Sequence, residues 1–296
     1  MTTTSAEAGS FSFENIPYGT WYVREIEQPA GFVLDDTIYP VTIGADGQVV
    51  EIKIVNKYVR GNIHLTKVDS EYPDNKLTGA TFEVYKDSNA NGKLDDGDEL
   101  LGTLTEKEIG EYGMNDLFYG RYFVKETKAP EGFVLDTGVY EVMIDTNGKI
   151  YEVENKAGVG FINDAMRGNL KIVKTSSDGK VKGFAFRITG ANGYDIILET
   201  NDKGEIFIDE LRIGDYTISE VSNSASSMYV LPADKKATVK LGSTTIMEMH
   251  NVLRDTPKTG DTTNLPLLYA LAGLSAVGIA VCGVIGFKKK KKEDRN

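Results

Sequence analysis

"NDLFYGRYFVKETKAPEGFVLDTGVYEVMI", residues 115–144, has counterparts elsewhere in this chain of 296 residues. It stands earlier as "ENIPYGTWYVREIEQPAGFVLDDTIYPVTI" at 14–43 and later, in a looser form, as "DELRIGDYTISEVSNSASSMYVLPADKKATV" at 209–239. A segment recurring at domain-sized intervals marks a tandem array, so the fold is that of one copy repeated. Within each copy apolar residues alternate with polar ones over short runs, broken by Gly, Asp-Gly or Asn-Gly. Such alternation makes strands with one buried face, and its regular spacing predicts an all-β fold of tandem β-sandwich domains. Helical periodicity is absent outside one long apolar run near the C-terminus.

In the second and third copies a further strand-like stretch lies upstream, "GNIHLTKVD" at 61–69 and "GNLKIVKTS" at 168–176. The first copy lacks it. The expected division is therefore a C-terminal part of a sandwich domain at 1–58, complete domains at 60–157 and 168–253, and a linker at 158–167.

The alternation breaks its own rule at matching places. Ile63, Leu65 and Lys67 share one face, as do Leu170, Ile172 and Lys174, so a lysine takes the third inward position. Trp21, Val23 and Glu25 align, as do Tyr122, Val124 and Glu126, and Tyr216, Ile218 and Glu220. A glutamate is third there. At the end of each copy Ile52, Ile54 and Asn56 align, as do Tyr151, Val153 and Asn155, and Met247, Met249 and Asn251. The Glu-to-Asn separations are 31, 29 and 31 residues.

Burying any one of these groups unpaired costs several kcal/mol, so Lys, Glu and Asn are expected to satisfy one another in a common site. Burial lowers a lysine pKa and raises that of a glutamate, which makes the neutral amine and the neutral acid accessible together. A neutral amine is a nucleophile. Its attack on the Asn side-chain carbonyl, with Glu polarising that carbonyl and shuttling protons, would expel ammonia and leave an amide crosslink.

The "K...YxxxExxAPxGF...N" arrangement resembles the SpaA-like pilin domain and the related collagen-adhesin B-type repeat, prealbumin-like β-sandwiches of Gram-positive pili and adhesin stalks. The resemblance covers residues 1 to about 253. It implies an isopeptide bond between Lys67 and Asn155 with Glu126 as catalytic acid, and one between Lys174 and Asn251 with Glu220. The first copy keeps Glu25 and Asn56 without a lysine. The third departs from the motif, because "EVSNSASSMYVL" lacks the Pro-Gly after the glutamate.

A second candidate site is "DSNANGKLDDGDE", 87–99. Asp87, Asn89, Asn91, the Lys93 carbonyl, Asp95 and Asp98 fall at EF-hand-like positions 1, 3, 5, 7, 9 and 12, a spacing that offers oxygen ligands to Ca²⁺. Position 12 holds Asp in place of the usual Glu, and no helices flank the loop. No other cofactor is called for, and two histidines, His64 and His250, are too few for a histidine-based centre.

Residues 265–287 form an uncharged run long enough to cross a bilayer as a helix. Five lysines follow at 288–292 in a cytoplasmic basic tail, 288–296, and place the rest of the chain outside. Ahead of the span, in a linker at 254–264, stands Thr256, Pro257, Lys258, Thr259 and Gly260. Motif, span and basic tail resemble the LPxTG cell-wall sorting signal. That resemblance implies cleavage between Thr259 and Gly260 by a sortase and transfer to peptidoglycan or a pilin subunit, although Thr256 stands where Leu is usual.

Composition agrees with export. The net charge is −11, and the basic tail holds a local +4, which leaves −15 for residues 1–287. An acidic surface argues against nucleic-acid partners. The only cysteine, Cys282, lies in the apolar run, so no disulfide staples the exterior. No secretory signal precedes the first copy, which suggests a longer surface protein. Two functions fit: the stalk of a sortase-anchored adhesin or minor pilin, or a tethering spacer for an upstream enzymatic or ligand-binding head that meets a host or cell-surface ligand.

Overall fold

The computed structural model describes residues 2–5 and 9–255. The sorting motif at 256–260, the apolar span and the basic tail lie outside the described residues. Every regular element described is extended, apart from one short 3-10 turn at Ala191–Gly193.

Residues up to 58 form two small antiparallel pairs. Strand β1 (Gly19–Val23) pairs with β3 (Tyr39–Ile43), and β2 (Phe32–Val33) pairs with β4 (Lys57–Tyr58). Trp21 is 39 % exposed here, whereas its counterparts Tyr122 and Tyr216 are 1 % and 5 % exposed. Among the described residues no second sheet packs over the Trp21 side of β1 and β3, unlike the sandwiches around Tyr122 and Tyr216.

The next domain comprises β5 (Arg60–Asp69), β6 (Thr81–Lys86), β7 (Glu99–Thr103), β8 (Thr105–Glu108), β9 (Glu111–Phe118), β10 (Gly120–Lys128), β11 (Val139–Ile144), β12 (Ile150–Glu152) and β13 (Phe161–Asn163). One sheet runs β11-β10-β6-β7 and the other β12-β5-β9-β8, with β13 also paired to β5. The inner faces meet through Ile63, Leu65, Phe82, Val84, Tyr112, Tyr122, Val124 and Phe161. Alternation along β5 and β10 puts these apolar side chains inside and sends Lys67 and Glu126 the same way.

The third domain repeats the plan with β14 (Arg167–Ser176), β15 (Ala185–Thr189), β16 (Asp195–Glu199), β17 (Glu205–Arg212), β18 (Gly214–Val221), β19 (Tyr229–Val230), β20 (Lys235–Val239) and β21 (Thr244–Leu253). Its sheets are β16-β15-β18-β20 and β17-β14-β21-β19. The first and last strands, β14 and β21, lie side by side and parallel, with Lys174 opposite Met249 and Ser176 opposite Asn251.

In the second domain that last strand comes in two pieces. Tyr151 of β12 faces Ile63, and Phe161 of β13 faces Lys67, both parallel to β5. Ten residues on the outer strand thus cover four on β5. The third domain covers the same interval with four, from Thr245 to Met249 against Leu170 to Lys174. The surplus six residues are extruded as a loop whose neck is the bridge between Lys156 and Gly160. Residues 161–163 therefore belong to the sandwich, not to a linker beginning at 158.

Candidate functional site

Lys67 sits on β5 and Glu126 on β10, so the two face each other from opposite sheets. Both are fully buried. The asparagine completing the group is Asn163 on β13, not Asn155. The Asn163 Nδ2 donates to Glu126 Oε2 at 2.7 Å and also to the carbonyl of Val134. In register Asn163 lies opposite Asp69, two positions beyond the partner of Lys67. This offset matches the third domain, where Asn251 lies opposite Ser176.

The reason for the correction is the extruded loop. Glu126 and Asn163 are 37 residues apart, six more than the 31 that separate Glu25 from Asn56 and Glu220 from Asn251. Asn155, at a separation of 29, falls in the loop by coincidence of spacing. Its amide instead bridges to the returning strand: Nδ2 donates to the Ile162 carbonyl at 2.9 Å, and Oδ1 accepts from the Ile162 amide at 2.7 Å. Its Nδ2 also reaches Asp136 Oδ2 at 2.6 Å. Asn155 thus fixes where β13 begins. The signal for Asn163 in the sequence is "FIN" at 161–163, an apolar-x-Asn step like "MHN" at 249–251.

In the third domain Lys174, Glu220 and Asn251 come together as the sequence suggests. Asn251 Nδ2 donates to Glu220 Oε1 at 2.7 Å, and Lys174 lies over the Phe184 ring at 4.1 Å. All three are buried. In the first unit Asn56 Nδ2 donates to both Glu25 oxygens, at 2.8 and 2.9 Å, and among the described residues no lysine hydrogen-bonds to either side chain. A backbone amide ten residues downstream caps the glutamate in the first two units: Asp35 donates to Glu25 and Asp136 to Glu126, each at 2.8 Å.

Burial sets the electrostatics. It brings Lys67 down to about 8 against the opposing pull of Glu126, Asp136 and Asp69. It pushes Glu126 up in spite of the hydrogen bond from Asn163. Lys174 is lowered and Glu220 raised for the same reason. The ammonium of Lys67 donates to the carbonyls of Phe161 at 3.0 Å and Val68 at 3.4 Å. Among the described residues four buried side-chain atoms have no hydrogen-bond partner: one oxygen of Glu126, Oδ1 of Asn163, one oxygen of Glu220 and Oδ1 of Asn251. A single proton on each glutamate would satisfy both orphans of its pair, as the acid O–H donating to the amide oxygen.

The loop at 87–98 is a compact turn held by its own groups. Asp87 accepts from the amides of Asn91 and Gly92, Asp95 from that of Gly97, and Asp98 from those of Ser88 and Asp95. The side-chain amides of Asn89 and Asn91 donate to Asp95 at 3.0 and 2.6 Å. The Lys93 amide closes onto Asn91 Oδ1. Among the described residues no group of three or more His, Cys, Asp or Glu side chains stands in metal-holding geometry. His64 and His250 lie on outer faces, against Glu152 and Thr175 respectively.

Three stretches of the chain, 1–58, 61–157 and 168–252, match the SpaA family of prealbumin-like fold domains. The chain belongs to this family. The SpaA-like array is 28% identical over 194 residues to the trypsin-resistant surface T6 protein of Streptococcus pyogenes serotype M6, a match covering 64% of this chain and 32% of that protein. Among solved structures it is similar to the Bacillus anthracis TIE protein, with 26% identity and a TM-score of 0.61 over 83% of this chain and 44% of that one. The minor pilin of Streptococcus agalactiae aligns over 68% of this chain and 99% of that one, with 18% identity and a TM-score of 0.32. The chain thus spans a third of the T6 protein and under half of the TIE protein.

Proposed function

We propose that this chain is a structural part of a Gram-positive surface protein, the stalk of an adhesin or a minor pilin, stapled by Lys67–Asn163 and Lys174–Asn251 isopeptide bonds. The observation that carries the reading is the matched pair of orphans, one glutamate oxygen and one asparagine Oδ1, in both complete domains. A protonated glutamate resolves both and at the same time polarises the carbonyl to be attacked.

The step balances within the site. The free amine of Lys67 attacks Cγ of Asn163, and the Nζ–Cγ bond forms while the carbonyl electrons move to Oδ1, held by the Glu126 O–H. Glu126 passes a proton to Nδ2 and takes one from Nζ, the Cγ–Nδ2 bond breaks, and ammonia leaves. Amine plus amide give a secondary amide plus ammonia, with no oxidant or cofactor. Glu220 does the same for Lys174 and Asn251.

The chain acts on itself only and is no enzyme in this reading. Its export and attachment follow from the sorting signal: a sortase would cut after Thr259 and join the carbonyl to peptidoglycan or another pilin subunit. The test of the staples is intact mass. Residues 60–254 should weigh two ammonia molecules less than their sequence, with peptides linking Lys67 to Asn163 and Lys174 to Asn251. Glu126→Ala should retain one of the two. Closing a loop near 100 residues removes about 4–5 kcal/mol of unfolded-state entropy. The second domain of that variant should therefore melt on the order of 20 °C lower. A folded wild-type protein at full sequence mass would leave only buried polar clusters.

A further inference from the structure

The two joints between successive units are built alike. At the first, the Gly31 carbonyl accepts from the amide of Val59 at 2.8 Å, and the Val59 carbonyl accepts from the amide of Tyr119 at 3.1 Å. At the second, Gly132 accepts from Met166 at 2.8 Å and Met166 from Ile213 at 3.0 Å. Gly31 and Gly132 hold φ of +81° and +84°, and a side chain at Gly31 would meet Tyr119 at 3.3 Å. The positive φ calls for glycine at both positions, and at Gly31 the closeness of Tyr119 does so as well.

The second joint has an addition. Arg212, at the end of β17 in the third domain, reaches into the second and grips both oxygens of Asp69 at 2.5 and 2.6 Å, while its Nε donates to Glu71 at 3.0 Å. Arg167 also pairs with Glu71. At the first joint the place of Arg212 is taken by Phe118, whose ring meets Tyr58 edge to face and lies under the Arg60 guanidinium. Asp69 is only 2 % exposed. It lies on β5 two residues from Lys67, on the same face, and directly opposite Asn163. Three residues after Asn163, Met166 makes the joint itself.

We propose that Arg212 of the third domain is a positioning and charge-balancing residue for the Lys67–Asn163 crosslink of the second, acting through Asp69. The proposal rests on the crosslink reading. The charged groups facing Lys67 are Glu126 from β10, Asp136 from the segment ahead of β11, and Asp69 from its own strand, and each favours the ammonium. A guanidinium clamped on Asp69 cancels one of the two carboxylates that take no part in proton transfer. Without it the lysine keeps its proton more tightly, and the attacking amine becomes scarcer.

The test uses the full 296-residue chain made by cell-free synthesis, shifted to buffers of several pH values and stopped at intervals. Digestion and mass spectrometry then count peptides linking Lys67 to Asn163 and Lys174 to Asn251. In Arg212→Ala the first link should form ~tenfold more slowly, the effect of about one unit on the lysine pKa, and the high-pH limb of its rate should move upward. The Lys174–Asn251 link should keep its wild-type rate, which reports that the third domain has folded. Adding Asp69→Asn should restore the wild-type rate and pH profile. An unchanged Lys67–Asn163 rate in Arg212→Ala overturns the proposal, as does a slower rate with an unmoved pH limb that Asp69→Asn does not rescue. Absence of that link from the wild type would instead sink the crosslink beneath it.

Discussion

Lys67 and Glu126 share a burial that disfavours the charge on each, so their titration belongs to the pair. The pair holding one proton exists either as ammonium with carboxylate or as amine with acid. Only the second reacts, and raising the glutamate pKa while lowering that of lysine enlarges its share. The crosslinking rate should therefore be bell-shaped in pH. It falls on the acid side when both groups are protonated, and on the alkaline side above about 8, where Lys67 loses the last proton. Rates of ammonia release from freshly made protein over pH 5 to 10 would check this, and a rate still climbing at pH 10 would contradict it. Asn163→Ala should abolish the second-domain bond, whereas Asn155→Ala should keep it. Lys67, Glu126 and their third-domain counterparts were legible because strict alternation fixes which way a strand residue points. Asp69 was not, since a carboxylate at a strand end reads as solvated until the arginine from another domain is seen.

At the level of elements, everything follows from whether the last strand runs unbroken. In β21 it does, and the spacing read from sequence finds Asn251. In the second domain six residues leave the sheet after β12, and counting along the chain cannot detect an extrusion that preserves alternation on either side. A fragment of residues 60–157 lacks β13, so it should keep its full sequence mass, while 60–166 should lose one ammonia; mass spectrometry of the two decides. The positions of the turns were readable from the repeat, because Gly and Asp-Gly or Asn-Gly punctuate it at each copy, whereas the order of strands in the sheets was not. Calcium at residues 87–98 is a proposal of its own: calorimetric titration should give one site of micromolar to millimolar affinity, weakened by Asp87→Ala with Asp95→Ala. Binding requires the Asn89 and Asn91 side chains to give up their bonds to Asp95, and a flat titration would leave a hydrogen-bonded turn.

For the whole molecule, the proposed sorting motif at Thr256 to Gly260 makes one expectation. Co-expression with a matching sortase should yield chain ending at Thr259 and bound to wall material, and Thr259→Ala should leave it uncut; wall-linked product at wild-type level in that variant would remove the signal from consideration. The domain count was plain from the repeat, but the joints were not, since a linker of mixed residues gives no hint that its backbone is shared by two domains. Parallel pairing of the first and last strands in the two complete domains has a consequence for tension. With Lys67 bonded to Asn163, a pull on the chain ends passes from β5 to β13 through one side-chain amide, and the backbone between them carries none of it. From 67 to 163 and from 174 to 251 the bypassed contour is roughly 320 Å and 260 Å at about 3.3–3.6 Å per residue. An unstapled array would pay out that length under load, whereas the stapled one should show no such unfolding steps when stretched singly, behaving as a strut of fixed length.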